Sequence, residues 1–173
     1  MNILFAGTPE PSAKLLQALV KNNNINIIGV ITKPDIAQNR GKKIQQSQVS
    51  FAASETNLPI YKPDNLNSLE FRQTLLQLDF DFLVVAAYGK IIPDWMLESP
   101  KIMSINVHYS LLPKYRGASP IQSCLLNGDK KTGITFIKMS NKLDEGECIQ
   151  KYEIEVHPDH NKITLEDELC NLA

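Results

Sequence analysis

The chain has 173 residues, a formal net charge of −1, and 43% apolar and 21% charged residues, the balance of an ordinary globular protein with a core. That charge offers a polyanion no general attraction, so any nucleic-acid contact must come from a local patch. Cys124, Cys148 and Cys170 lie far apart with no Cys-x-x-C spacing, which suggests neither a disulfide framework nor a zinc site, and no apolar run is long enough to span a membrane.

Residues 2–6 form a compact apolar run, read as the first buried strand, and because the chain opens directly into it no signal or transit peptide is expected. A cytoplasmic protein in a reducing compartment is expected. Gly7-Thr8-Pro9-Glu10 follows, then an amphipathic helix to about residue 21, with Thr8 read as its N-cap and Pro9 as its first residue. Strand, Gly turn and helix raise the question of a dinucleotide site. Of the G-x-G-x-x-G fingerprint only Gly7 is present, so the topology is Rossmann-like without NAD.

Residues 27–32 are a second strand. The loop after it carries Lys33, Arg40, Lys42 and Lys43 against one acid, Asp35, a local charge of +3 over residues 33–43. Such a run is ordinarily a solvated surface loop, and its functional reading is a phosphate-contacting loop. A helix over 47–57 buries Val49, Ala52 and Ala53, a short strand covers 59–61, and a helix from 67 to 78 starts at Asp64 or Asn67 and carries Leu69, Leu75, Leu76 and Leu78. Residues 81–87 are the most strand-like run, ending at Tyr88-Gly89-Lys90-Ile91-Ile92-Pro93. Trp95 and Met96 sit in a short helix and are read as structural.

Residues 103–107 are a further strand. Strand alternation puts Asn106 and His108 on one face and Val107 on the other, at a strand end where open α/β sheets bind ligands. An amide can donate to a developing oxyanion, and an imidazole can move protons near neutral pH. Taken alone, Asn-x-His is a loop or capping pair. It runs on, however, into Ser110-Leu111-Leu112-Pro113 and then Arg116-Gly117. A helix over 119–127 with Gly128 at its end, a strand over 132–139, an acidic turn at 142–147, a strand over 148–156 and a helix over 163–172 complete the chain. His157 and His160 flank Pro158-Asp159 in a solvated loop, with no third metal ligand apparent. The order implies an α/β fold, a predominantly parallel sheet with helices on both faces.

Asn-x-His-x-Ser-Leu-Leu-Pro followed by an Arg-Gly turn resembles the signature of the folate-dependent formyltransferases. The resemblance implies that Asn106 and His108 are catalytic and that Ser110, Leu111, Leu112 and Pro113 line the folate site. Backbone around Tyr88, Gly89, Ile91 and Ile92 would line the pterin pocket. Asp144 matches the catalytic Asp of the family's Asp-x-Gly-Asp loop, with Gly146 in register and Glu147 in place of the final Asp; it would orient His108 or hold a water that relays the proton. Tyr109 stands where relatives have a small residue, and its ring either narrows the site or turns to solvent.

Within that family, the Gly-Thr-Pro turn and the Pro-Asp…Arg-Gly-Lys-Lys loop resemble the methionyl-tRNA branch, in which the loop enters the acceptor end of the tRNA. The implied contacts fall on Arg40, Gly41, Lys42 and Lys43, and Ser47-Gln48-Val49-Ser50 lacks one base that relatives carry after them. The resemblance implies a catalytic formyltransferase domain spanning residues 1–173, without the family's C-terminal β-barrel. It implies formyl transfer from 10-formyltetrahydrofolate to the α-amine of initiator Met-tRNA by a monomer that needs no metal. Alternatives are an amino sugar nucleotide or glycinamide ribonucleotide as acceptor, or an inactive folate- or RNA-binding module.

Overall fold

Residues 3–7 are all buried in the computed structural model, which describes residues 1–38 and 43–173 of the chain. They form β1 (Asn2–Gly7), and Leu4, Phe5 and Ala6 are wholly buried. Adjacent strand residues face opposite ways, so both faces of β1 are covered. Burying Leu4 and Phe5 stabilises the fold by roughly 1.5–3 kcal/mol each.

The chain divides into two units, Met1–Ser104 and Ile105–Ala173. In the first, β1 is followed by α1 (Glu10–Val20), β2 (Asn26–Ile31), β3 (Ile36–Gln38), β4 (Lys43–Gln45), α2 (Gln48–Glu55), β5 (Ile60–Tyr61), α3 (Leu69–Leu76), β6 (Phe82–Ala86) and α4 (Asp94–Leu97). Strand order is β5-β2-β1-β6, and β1–β2, β1–β6 and β2–β5 all pair in parallel. The chain steps outward from β1 to β2 and β5, then returns to the other side of β1 as β6. The carboxyl ends of β1 and β6 therefore flank the point where the winding reverses, the usual ligand crevice of such sheets.

Several local expectations change. Thr8 is not the cap of α1: Pro9 is, in extended conformation and with no side-chain bond, and the Thr8 hydroxyl donates to the carbonyl of Tyr88 at 2.8 Å. Helix α3 begins after Ser68, whose hydroxyl accepts from Phe71 N, and it buries Phe71 and Leu75. Those two are one turn apart, which leaves Leu69 and Leu76 on other faces, 71% and 61% exposed. The basic loop is framed by a two-stranded antiparallel pair, β3 with β4, which the sequence reading took as loop throughout. Helix α2 is shorter than the 47–57 expected, with Ser47 as its cap instead of its first residue, and it buries Val49, Ala52 and Ala53 as expected. Trp95 is structural as expected, its indole N–H donating to Asn67 Oδ1 at 3.0 Å and its ring meeting Phe71 edge-on.

The second unit is built from β7 (Met103–His108), which begins at the boundary, α5 (Pro120–Leu126), β8 (Lys131–Lys138), β9 (Cys148–Glu155) and α6 (Lys162–Leu172). Strand β8 lies between β7 and β9 and is antiparallel to both. Its wholly buried Ile134 shares a face with Phe136, the partner of Val107, and α6, with Leu165 and Leu169 buried, packs against this strand, whereas the nearly buried Ile137 pairs with Asn106 on the opposite face. Asn161 and Thr164 cap α6 reciprocally. The expected α/β fold with a mostly parallel sheet holds, and apart from the small β3–β4 pair the antiparallel strands come at the end of the chain. Among the described residues no helix is long and apolar enough to cross a membrane.

Candidate active site

Strand β7 delivers Asn106 and His108 on one face, while Val107 turns into the core at 3% exposure. They stand opposite Ile137 and Thr135 of β8. The loop between β8 and β9 brings Asp144 up to them. Asp144 Oδ1 accepts from Asn106 Nδ2 at 3.2 Å, and Oδ2 lies 3.6 Å from His108 Nδ1. Oδ2 also accepts from the backbone N–H of Gly117 at 2.8 Å. The side chains of His108 and Asp144 are each 6% exposed, so this cluster is screened little by water.

Local backbone explains the convergence. Asp144 has φ +51°, and Gly117 of the facing turn has φ +95°. An Asp tolerates the left-handed region better than most residues, and a Gly does so without strain. Lys138 N donates to Glu147 O at 2.8 Å, folding the loop back onto the end of β8. Gly146 passes so close that a Cβ there would collide with the carbonyl of Lys138. The glycine of the acidic turn is therefore required for space, two residues from Asp144.

The turn after β7 is tied down from several sides. Ser110 N donates to His108 O at 2.9 Å, and Ser110 Oγ donates to Lys114 O at 2.6 Å. The wholly buried Thr135 hydroxyl donates to Ser110 O at 2.7 Å and accepts from Leu112 N at 3.1 Å. Lys151 Nζ of β9 donates to Leu112 O. Ser110 and Leu112 are thus turned inward and shape the turn, while Leu111 is half-buried and Pro113 exposed. His108 Nε2 stands 2.9 Å from Tyr115 O, and Arg116 pairs with Glu145 at 2.9 Å.

Tyr109 neither narrows the site nor turns to solvent. Strand alternation carries it away from the face of Asn106 and His108; it is 7% exposed, and its hydroxyl accepts from Cys170 Sγ of α6 at 3.9 Å. Burial drives its phenol well above the ordinary range.

The residues singled out around Tyr88 and in the basic loop belong to the first unit. Tyr88 and Ile92 are buried in the loop after β6, Ile91 is 91% exposed, and Gly89 has φ +76°. Burial pushes the Tyr88 phenol up to about 12, and its hydroxyl has no partner among the described residues. Arg40, Gly41 and Lys42 lie outside the described residues, and Lys43 opens β4. His160 turns onto Glu168, with Nε2 3.1 Å from Oε2. Among the described residues no three His, Cys, Asp or Glu side chains gather to hold a metal.

The donor set defines what the cluster can do. A carboxylate only accepts, so Asn106 must turn its NH₂ toward Asp144, and the second N–H of that group remains for an oxyanion. A carbonyl also only accepts, so His108 carries a proton on Nε2 toward Tyr115, and Nδ1 is the nitrogen left to exchange protons beside Asp144. Sequence reasoning missed Thr135, Lys151 and Tyr115. The one signal available was a threonine at a buried position of an otherwise apolar strand.

The family model described as "Formyl transferase" matches residues 1–173. The chain is 44% identical over 173 residues to a methionyl-tRNA formyltransferase of Buchnera aphidicola subsp. Baizongia pistaciae, covering 100% of the chain and 54% of that protein. It is 42% identical over 171 residues to one of Sulfurihydrogenibium sp., covering 98% and 55%. It therefore spans about half the length of the curated relatives it matches. Among solved structures, a phosphoribosylglycinamide formyltransferase from Bacillus halodurans superposes with a TM-score of 0.76 at 18% identity, covering 98% of this chain and 87% of that one. A sugar 3N-formyl transferase, solved in the presence of dTDP and 5-N-formyl-THF, gives 0.69 at 22% identity, covering 99% and 58%.

Proposed function

This chain belongs to the formyl transferase family, and from that premise we propose that it transfers a formyl group from 10-formyltetrahydrofolate to the α-amine of initiator Met-tRNA. The acceptor reading draws on the names of relatives above 40% identity and on the basic run at Lys33, Arg40, Lys42 and Lys43. The observation that carries the chemistry is the bridge of Asp144 between Asn106 and His108, at 3.2 Å and 3.6 Å.

The residues would divide the work as follows. Attack by the amine forms a C–N bond to the formyl carbon and pushes charge onto the formyl oxygen. Asn106 donates its free N–H to that oxygen. Nδ1 of His108 takes the proton released by the amine and returns it to the folate nitrogen as the old C–N bond breaks. The imidazolium formed in between stands beside the Asp144 carboxylate, held in place by Asn106 and by Gly117 N–H. Leu111 and Pro113, carried on the turn fixed by Thr135 and Lys151, offer apolar surface to the folate.

The test is an assay of this chain with 10-formyltetrahydrofolate and three acceptors in parallel: charged initiator Met-tRNA, an amino sugar nucleotide and glycinamide ribonucleotide. Formyl-Met-tRNA as the preferred product supports the reading. Preferred formylation of either small acceptor would keep the site and overturn the acceptor. Folate binding with no product from any acceptor would overturn the reading in favour of a binding module.

A further inference from the structure

We propose that Tyr115 and Asp129 are positioning residues for His108: they hold the Tyr115 carbonyl against Nε2 and thereby keep Nδ1 as the nitrogen that faces Asp144 and the substrate. The inference rests on the proposed formyl transfer for its kinetic part, but not for its structural part.

A neutral imidazole has one N–H and one lone pair, and the neighbours decide which nitrogen carries which. His108 Nε2 lies 2.9 Å from Tyr115 O, an obligate acceptor, whereas Nδ1 faces the Asp144 carboxylate at 3.6 Å, too far for a direct hydrogen bond. The Tyr115 carbonyl is therefore the group that selects the tautomer.

That carbonyl is aimed by an unfavourable backbone. Tyr115 has φ +57°, a conformation that a bulky L-residue keeps only when its surroundings hold it there. The hold is visible. The phenol hydroxyl of Tyr115 donates to Asp129 Oδ2 at 2.8 Å, and Lys114 Nζ reaches the same oxygen at 3.2 Å. Asp129 is itself fixed just past α5, its backbone N–H donating to Cys124 O at 3.2 Å. The Tyr115 hydroxyl, with Lys114 second, holds the Asp129 carboxyl below the usual carboxylate range, and the same bond pushes the phenol up. Both directions fit a made hydrogen bond between a neutral phenol and a carboxylate.

The chain of control runs from Asp129 through the Tyr115 ring to its own carbonyl, and from there to His108 Nε2. Removing the phenol hydroxyl frees residue 115 to relax out of the left-handed region. The carbonyl then swings away, and the imidazole loses its reason to keep the proton on Nε2. A proton left on Nδ1 points at Asp144, and the base needed by the amine is gone. Placing an active-site histidine in the wrong tautomer is among the costliest single changes to such a site.

The experiment uses Tyr115→Phe and Asp129→Asn in this chain, with two readouts. The first is the ring ¹⁵N spectrum at about pH 8, where an ordinary imidazole is neutral, with His108 identified by loss of its signals in His108→Gln. Wild type is expected to show the Nε2–H tautomer, and Tyr115→Phe a shift toward the Nδ1–H form. The second is formyl transfer: kcat is expected to fall about ten-fold or more in Tyr115→Phe, with KM for both substrates within about two-fold, because binding groups are untouched. Asp129→Asn, which retains an acceptor oxygen for the phenol, is expected to lie between wild type and Tyr115→Phe in both. An unchanged His108 spectrum and kcat in Tyr115→Phe would overturn the inference, as would a loss of melting temperature with no tautomer change. If wild type transfers no formyl group but the tautomer still responds, the proposed function fails and the positioning stands.

Discussion

Oδ2 of Asp144 lies 3.6 Å from Nδ1 of His108, with both side chains only 6% exposed. The carboxylate is fixed before any substrate arrives, by the Asn106 amide on one oxygen and the Gly117 N–H on the other. Removing its charge while keeping its shape isolates its contribution. In Asp144→Asn, kcat for formyl transfer is expected to fall roughly a hundred-fold with KM little changed, the mark of a charge that acts on the developing imidazolium. Steady-state kinetics with both substrates varied would check it. A raised KM at constant kcat would instead make Asp144 a binding residue.

Thr135 is the keystone of the signature turn, since one buried hydroxyl serves both Ser110 O and Leu112 N. Thr135→Val keeps the volume and leaves those two backbone groups without their partner. At about 1–3 kcal/mol for each buried group left unpaired, the variant is expected to lose about 2–6 kcal/mol in urea denaturation. Thr135→Ser retains the hydroxyl and is expected to lose about 1 kcal/mol. Equal losses in the two would show that the methyl group, not the hydroxyl, matters.

Gly146 is required because the loop runs against the Lys138 carbonyl. Gly146→Ala is expected to cost about 1–3 kcal/mol by overpacking. The loop must then lift, and Asp144 moves with it. Since a misplacement of about 1 Å costs on the order of a hundred-fold in rate, activity should fall by more than the stability loss explains. Assays well below the melting temperature, with the folded fraction measured by circular dichroism, separate the two.

Tyr88 gives a prediction in alkali. Burial pushes its phenol up to about 12 from the ordinary value of 10.0. Between those values the unfolded chain has released the proton and the folded chain still holds it, so stability falls as pH rises from about 10 toward 12. Tyr88→Phe removes its share of that fall and leaves the share of the buried Tyr109 phenol, which burial also drives upward. Because the hydroxyl has no partner among the described residues, the variant is also expected to gain about 1 kcal/mol at neutral pH. Urea denaturation at about pH 8 and pH 11 would show both effects, and a net loss at neutral pH would reveal a partner for the hydroxyl.

What the sequence could carry was periodicity and local turn chemistry. The period of two in β7 separated Asn106 and His108 from Val107, and the helix spacing in α2 picked out Val49, Ala52 and Ala53. What it could not carry was distance. Asp144 is 36 residues from His108 and reaches it only because the β8–β9 loop folds back over Gly146. Thr135, Lys151 and Asp129 act on the site through tertiary hydrogen bonds, which leave no pattern along one strand or turn. Tyr109 was misjudged because a family comparison of residue size says nothing about which face of β7 it occupies. In α3 the leucines drew attention, whereas burial went to Phe71 and Leu75, one turn apart.

The most direct test of the account is single-turnover formyl transfer from 10-formyltetrahydrofolate to initiator Met-tRNA by wild type, Asn106→Ala and His108→Ala, each shown to be folded. The account predicts a loss of roughly 10²–10³-fold for Asn106→Ala, an oxyanion donor removed, and roughly 10²–10⁴-fold for His108→Ala, a proton carrier removed. Turnover within about three-fold of wild type in either variant would contradict the assignment of that residue, and in both would contradict the site itself.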